Sequence, residues 1–128
     1  MAGAIKTAVL FGAFVLGAGG GAMAQPYSTS LAQCAGILQS AGDVINDDVA
    51  TPIYAENAYT FWEAAIAQAG KEGHANAEEV AMAAYAPTYE TWRQRGPMAY
   101  VKGEFGDWMS YCRKFAKNQG LTLVWLTR

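Results

Sequence analysis

The sequence predicts an all-α protein: a small four-helix bundle-like domain closed by one disulfide and preceded by a cleaved signal peptide. Three observations carry this reading. A short apolar run near the start leads into a small-residue processing site, four later segments repeat apolar residues every three or four positions, and two cysteines fall on the apolar stripes of the first and last of those segments.

The leader comes first. Lys6 supplies the positive start, Val9, Leu10, Phe11, Phe14, Val15 and Leu16 the apolar centre, and Ala22-Met23-Ala24 the small residues that signal peptidase accepts. Cleavage is expected between Ala24 and Gln25. The apolar run is about half the ~20 residues that span a bilayer, which argues against a retained anchor. No cysteine follows the site to carry a lipid, and no later segment is long and apolar enough to form a transmembrane segment. The expected organisation is a signal peptide over 1–24 and a single helical domain over 25–128, ending in a short apolar tail at 121–128. The expected location is the periplasm or the extracellular medium.

The first helix is expected to start at a capping box of Ser30 and Gln33, with Leu31, Cys34, Leu38, Ala41 and Ile45 on one stripe and the helix-weakening Gly36 and Gly42 inside it. Asn46-Asp47-Asp48 ends it. Thr51-Pro52 restarts a helix, because Pro at a first helical position lacks only a donor that would be orphaned anyway. That second helix is expected to run to about Ala69, stopped by Gly70. Tyr54, Ala58, Phe61 and Ala65 lie on one side with Tyr59, Trp62 and Ile66 beside them, a wide face suited to the centre of a bundle. Asn76 and Glu79 open a third helix carrying Met82, Tyr85, Tyr89 and Trp92, in which Pro87 predicts a kink or break near Ala86. A fourth helix, from about Glu104 to Gly120, turns Phe105, Trp108, Met109, Cys112, Phe115 and Ala116 inward.

Cys34 and Cys112 are the only cysteines, and an exported chain places them where disulfides persist, so they are expected to pair. Their bond requires the first and last helices to lie side by side, as they do in an up-down bundle. In the chain-entropy model, closing a loop of roughly eighty residues stabilises the fold by about 4 to 5 kcal/mol.

Charge narrows the partners. Removing Lys6 with the leader leaves eight basic residues against eleven acidic ones, a net charge of −3 with no basic stripe, which argues against nucleic acid. No catalytic set stands out, so the reading favours a non-enzyme without cofactor or metal. His74, the single histidine, sits in a Gly-flanked connection and reads as solvated. Met82 and Met109 sit at core spacing and Met98 in a loop, and no Cys-x-x-Cys-His haem attachment occurs. Glu56 and Glu63 share a helix face two turns apart, a spacing that favours a solvated face over a hydrolytic pair. The apolar tail is expected to dock on the bundle; the alternative is that Leu123, Val124, Trp125 and Leu126 recruit a partner.

The general plan resembles that of small periplasmic accessory proteins, including acid-stress chaperones and immunity proteins that block secreted toxins. With no catalytic set and with aromatic-rich surface candidates, the expected activity is protein–protein binding, chaperone-like or inhibitor/immunity-like, with another envelope or extracellular protein as partner. The alternative is a small-molecule or cofactor binder using the bundle interior.

Overall fold

The computed structural model describes residues 25–124, so the signal-peptide expectation and the tail residues Trp125 to Arg128 lie outside the described residues. Four α-helices follow one another: α1 Tyr27–Ile45, α2 Ala50–Lys71, α3 Ala77–Gln94 and α4 Gly103–Asn118, with a 3₁₀ turn at Pro97–Val101 before the last. The domain is all-α, as its periodicity predicts.

The sequence places α2 at the centre; α1 occupies it instead. Twelve of the nineteen α1 residues are buried, from Ser28 to Gly42, and both α2 and α3 pack chiefly on this helix and less on each other. Its small residues make that possible. A β-carbon at Gly36 would meet the Tyr85 carbonyl oxygen of α3 at 2.8 Å, and one at Gly42 would meet the Tyr54 β-carbon of α2 at 3.3 Å. The two glycines read from the sequence as helix-weakening are thus the points where neighbouring helices approach most closely. Leu31, Ile37, Leu38 and Phe61 complete a core without exposure above 1%.

The start of α1 also differs from expectation. It begins at Tyr27, with Ser30 already inside and buried, so the Ser30–Gln33 capping box does not form. The terminus is satisfied from elsewhere: the Glu72 carboxylate, just past α2, accepts from the Ser28 backbone N–H at 3.2 Å and from its hydroxyl at 2.6 Å. A carboxylate is well suited to this place, because free N–H groups and the helix dipole leave the terminus positive. Burial pushes the Glu72 carboxyl up, but the Ser28 and Gln68 hydrogen bonds outweigh it and hold the carboxyl below its ordinary value.

Asn46, left-handed at φ 53°, ends α1. Asp47 serves the start of α2, its carboxylate accepting from the N–H groups of Val49 at 3.0 Å and Ala50 at 2.8 Å, while the Thr51 hydroxyl accepts from the Asp47 N–H at 2.8 Å. Gly70 does not stop α2. The helix continues to Lys71 and closes on Gly73 at φ 99°, where Gly73 N–H bonds the Gly70 carbonyl and His74 N–H the Ala69 carbonyl. The same arrangement ends α4 at Gly120, φ 74°, with Leu121 N–H on the Ala116 carbonyl. In α3, Asn76 and Glu79 pair through their side chains at 3.0 Å. No break occurs at Pro87: α3 runs through it, and Thr88 donates its hydroxyl to the Ala84 carbonyl at 2.9 Å.

The disulfide joins Cys34 to Cys112, with Cα atoms 5.8 Å apart. The α1 and α4 backbones otherwise approach little, and α4 packs through its side chains: Phe115 on Tyr27 of α1, and Phe105 on Tyr54 of α2, Trp92 and Tyr100. Tyr100 anchors the 3₁₀ turn to the core by donating to the buried Ser40 hydroxyl at 2.9 Å, which in turn donates to the Ile37 carbonyl. The tail folds back. Leu121 and Leu123 pack against the core, and the buried Asn57 holds Val124 by both its backbone groups, accepting from the N–H at 2.8 Å and donating to the carbonyl.

Candidate functional site

Because α2 and α3 flank α1 more than they touch each other, a groove opens between them at the surface. Its volume is about 330 Å³, and it is lined by Gln39 from α1, Ala58, Tyr59 and Trp62 from α2, and Glu78, Met82 and Tyr85 from α3. Met82, expected in the core from its spacing, is 43% exposed here, and Tyr59 is 63% exposed. The helical period put both on a plausible inner stripe, but α1 is narrow at Gly36 and fills only part of the face that α2 and α3 present. What remains is the groove.

Its walls are aromatic and its surroundings acidic. Trp62 and Tyr85 meet edge to face with ring centroids 5.2 Å apart, and Tyr85 stacks on Tyr89 at 6.0 Å. Trp62 and Tyr85 are partly buried against the core, which fixes them before any ligand arrives. Glu63, one helical turn beyond Tyr59, acts by its charge and by a hydrogen bond to hold the Tyr59 phenol above its ordinary value. Asp43 accepts from Gln39 at 3.0 Å and from the Tyr89 hydroxyl. That hydrogen bond, with burial and the Asp43 charge, pushes Tyr89 up to about 12. Burial followed by Asp43 raises Tyr85 as well. No lysine, arginine or histidine lines the groove among the described residues.

A second cleft, of about 260 Å³, lies further along α3 between Gln33, Pro87, Thr88, Thr91, Trp92, Arg95, Glu104 and Trp108. Here the chain supplies its own cation. The Arg95 guanidinium lies 4.1 Å from the Trp92 ring centroid and pairs with Glu104 at 3.1 Å.

The residues singled out in the sequence fall elsewhere. His74 is exposed beyond α2, its backbone N–H consumed by the helix stop. Glu56 and Glu63 are exposed on α2, Met98 is exposed in the 3₁₀ turn and Met109 is buried in α4. Among the described residues no group of three or more His, Cys, Asp or Glu side chains is placed to hold a metal ion. Of the tail set, Leu123 is partly buried against the core and Val124 is 40% exposed, while Trp125 and Leu126 lie outside the described residues. No described helix is long and apolar enough to cross a membrane.

Comparison with protein-family models gives no match, and none is found among curated proteins or solved structures.

Proposed function

We propose that the chain is an exported accessory protein, processed between Ala24 and Gln25 and acting in the periplasm or outside the cell by binding another protein through the α2–α3 groove. The observation that carries this is the joint exposure of Tyr59 and Met82 over the partly buried Trp62 and Tyr85. Tyr, Trp and Met are the side chains enriched where proteins dock, and here they are contiguous, preformed and unfilled by the described residues. The disulfide supports export, since such bonds persist in oxidising compartments.

In-cell photo-crosslinking tests the reading, with a photoreactive phenylalanine analogue placed at Tyr59 and, in separate strains, at Val124 and at the exposed Ser110 of α4. A discrete protein adduct from Tyr59 alone is the expected result. Adducts from Val124 alone would move the docking face to the tail residues Leu123, Val124, Trp125 and Leu126. No adduct from either would end the protein-binding reading.

A further inference from the structure

We propose that the α2–α3 groove receives a basic side chain, lysine or arginine, of the partner protein, seated against Trp62 and Tyr85 with Glu78 as counter-charge. The inference rests on the groove being the docking face. Aromatic faces carry negative partial charge and attract a cation within about 6 Å of the ring centroid, most strongly at Trp. Three rings line this groove, one of them Trp62.

The charges around the rings point the same way. Glu78 lines the groove, Glu63 engages Tyr59 at its mouth, and Asp43 stands behind Gln39 and Tyr89. The nearby Arg93 is engaged with Glu90 at 2.9 Å. An anionic or neutral aliphatic group would leave this potential unanswered; a cation answers it. The same fold already shows the arrangement satisfied: Arg95 on Trp92, with Glu104 as its carboxylate. One cleft holds the chain's own basic side chain, and the other presents the same chemistry to a guest.

A side chain fits better than a free amine. The volume of about 330 Å³ lies at the small end of ligand pockets, which run to roughly 1,000 Å³, and the groove is open to solvent. Tyr59 and Met82 extend apolar surface past its mouth, where a flanking peptide would cover them and a small amine would leave them wet.

The test uses the oxidised protein as isolated from its cells and two alanine pentapeptides, one with a central lysine and one with norleucine, its neutral isostere. Binding is followed by NMR at the Met82 methyl and the Trp62 indole. The lysine peptide is expected to bind about tenfold more tightly than the norleucine peptide. Trp62→Ala should abolish that preference, while Glu78→Gln should reduce it about threefold, in line with the modest worth of an exposed charge. If Trp62→Ala does not fold, Tyr59→Ala at the exposed rim takes its place. Equal binding of the two peptides overturns the proposal, and so does tighter binding of choline than of the lysine peptide. Equal binding beside a Tyr59 crosslink leaves the docking face intact and removes only its choice of cation. A lysine preference without any crosslink overturns the partner instead.

Discussion

Two aromatic clefts lie along α3, and one carries a cation of the chain's own while the other has none among the described residues. At the late end of the helix, Trp92 packs into the core against Tyr100 and Phe105 and is 4% exposed, with Arg95 lying over its ring and paired to Glu104. Earlier on the helix, Trp62, Tyr85 and Tyr59 form a comparable wall with carboxylates nearby, and no basic residue of the described chain lines it. A contiguous exposed aromatic patch that the described residues leave uncovered is a surface available for binding. The clefts also differ in what supports them. The α2–α3 groove stands on the close contacts of α1 with α2 and α3, whereas the Arg95 cleft depends on α4, which the disulfide ties to α1.

The largest expected effect tests that difference of support. Cys34 and Cys112 are 78 positions apart, so Cys112→Ser should cost about 4 kcal/mol in the chain-entropy model and lower the melting temperature by well over ten degrees in a domain of this size. Cys34→Ser should cost a similar amount. Hydrogen exchange of the Cys112→Ser protein should rise first in α4 and around Trp92, and later in α2 and α3. Equal loosening of both clefts would show that they share one support.

Next in size is Gly36→Ala. The added methyl meets backbone atoms of α3, Tyr85 O at 2.8 Å and Tyr89 N at 3.1 Å, and backbone cannot step aside as a side chain can. A loss of about 1–3 kcal/mol is expected in denaturant unfolding, with shifted NMR signals at Tyr85 and Met82. Gly70→Ala is the control. Nothing lies within 4 Å of that position inside α2, so it should stabilise by about 0.5–1 kcal/mol. If both substitutions stabilise, α1 is not the tight spacer that opens the groove.

These glycines show where the sequence was legible and where it was not. Periodicity marked four helices, and the position of Cys34 and Cys112 on their apolar stripes correctly joined the first to the last. The helix at the centre was misplaced, because large aromatics on α2 suggested a core while α1 is central through smallness: Ala32, Ala35, Gly36, Ala41 and Gly42 bring backbones together without bulk. Capping failed for a related reason. Ser30 and Gln33 have the local spacing of a capping box, but Glu72, 44 residues from Ser28, takes the position. Helical spacing places Met82 in the core, yet it is 43% exposed, because a period identifies a stripe and not what faces it. The groove itself depends on how far α2 and α3 separate around α1, a quantity that no single helix encodes.

A smaller effect concerns the tyrosines at the open groove. Tyr89 is held near 12 against an ordinary 10.0, so its folded state keeps a proton that the unfolded chain releases sooner. Its contribution to stability is therefore full below pH 10 and is lost as pH rises toward 12. Absorbance titration should show this phenol ionising late, and Asp43→Asn should bring it down. Glu72 has the opposite sign. Its lowered carboxyl contributes above the ordinary 4.5 and loses that contribution as pH falls below it. Ser28→Ala should flatten that acid limb and leave the alkaline one unchanged.

The smallest expected effect bears most directly on the comparison. Arg95→Met keeps an apolar stem over Trp92 but removes the charge, the cation–π contact and the Glu104 pair. Arg95 and Glu104 side chains are 38% and 59% exposed, so the loss should be only about 0.5–1 kcal/mol. A double-mutant cycle with Glu104→Gln should recover part of it as coupling between the two residues. The more informative readout is binding. With its own cation gone, the late cleft keeps Trp92, Trp108 and Glu104, the chemistry attributed to the open groove, and the lysine pentapeptide should begin to shift the Trp92 and Trp108 indole signals. The new site should be weaker than the first, because the thioether stem that Arg95→Met introduces still covers part of the Trp92 ring. Unmoved indoles together with zero coupling to Glu104 would mean that Arg95 merely rests beside Trp92, and the Arg95 cleft would no longer serve as a guide to the α2–α3 groove.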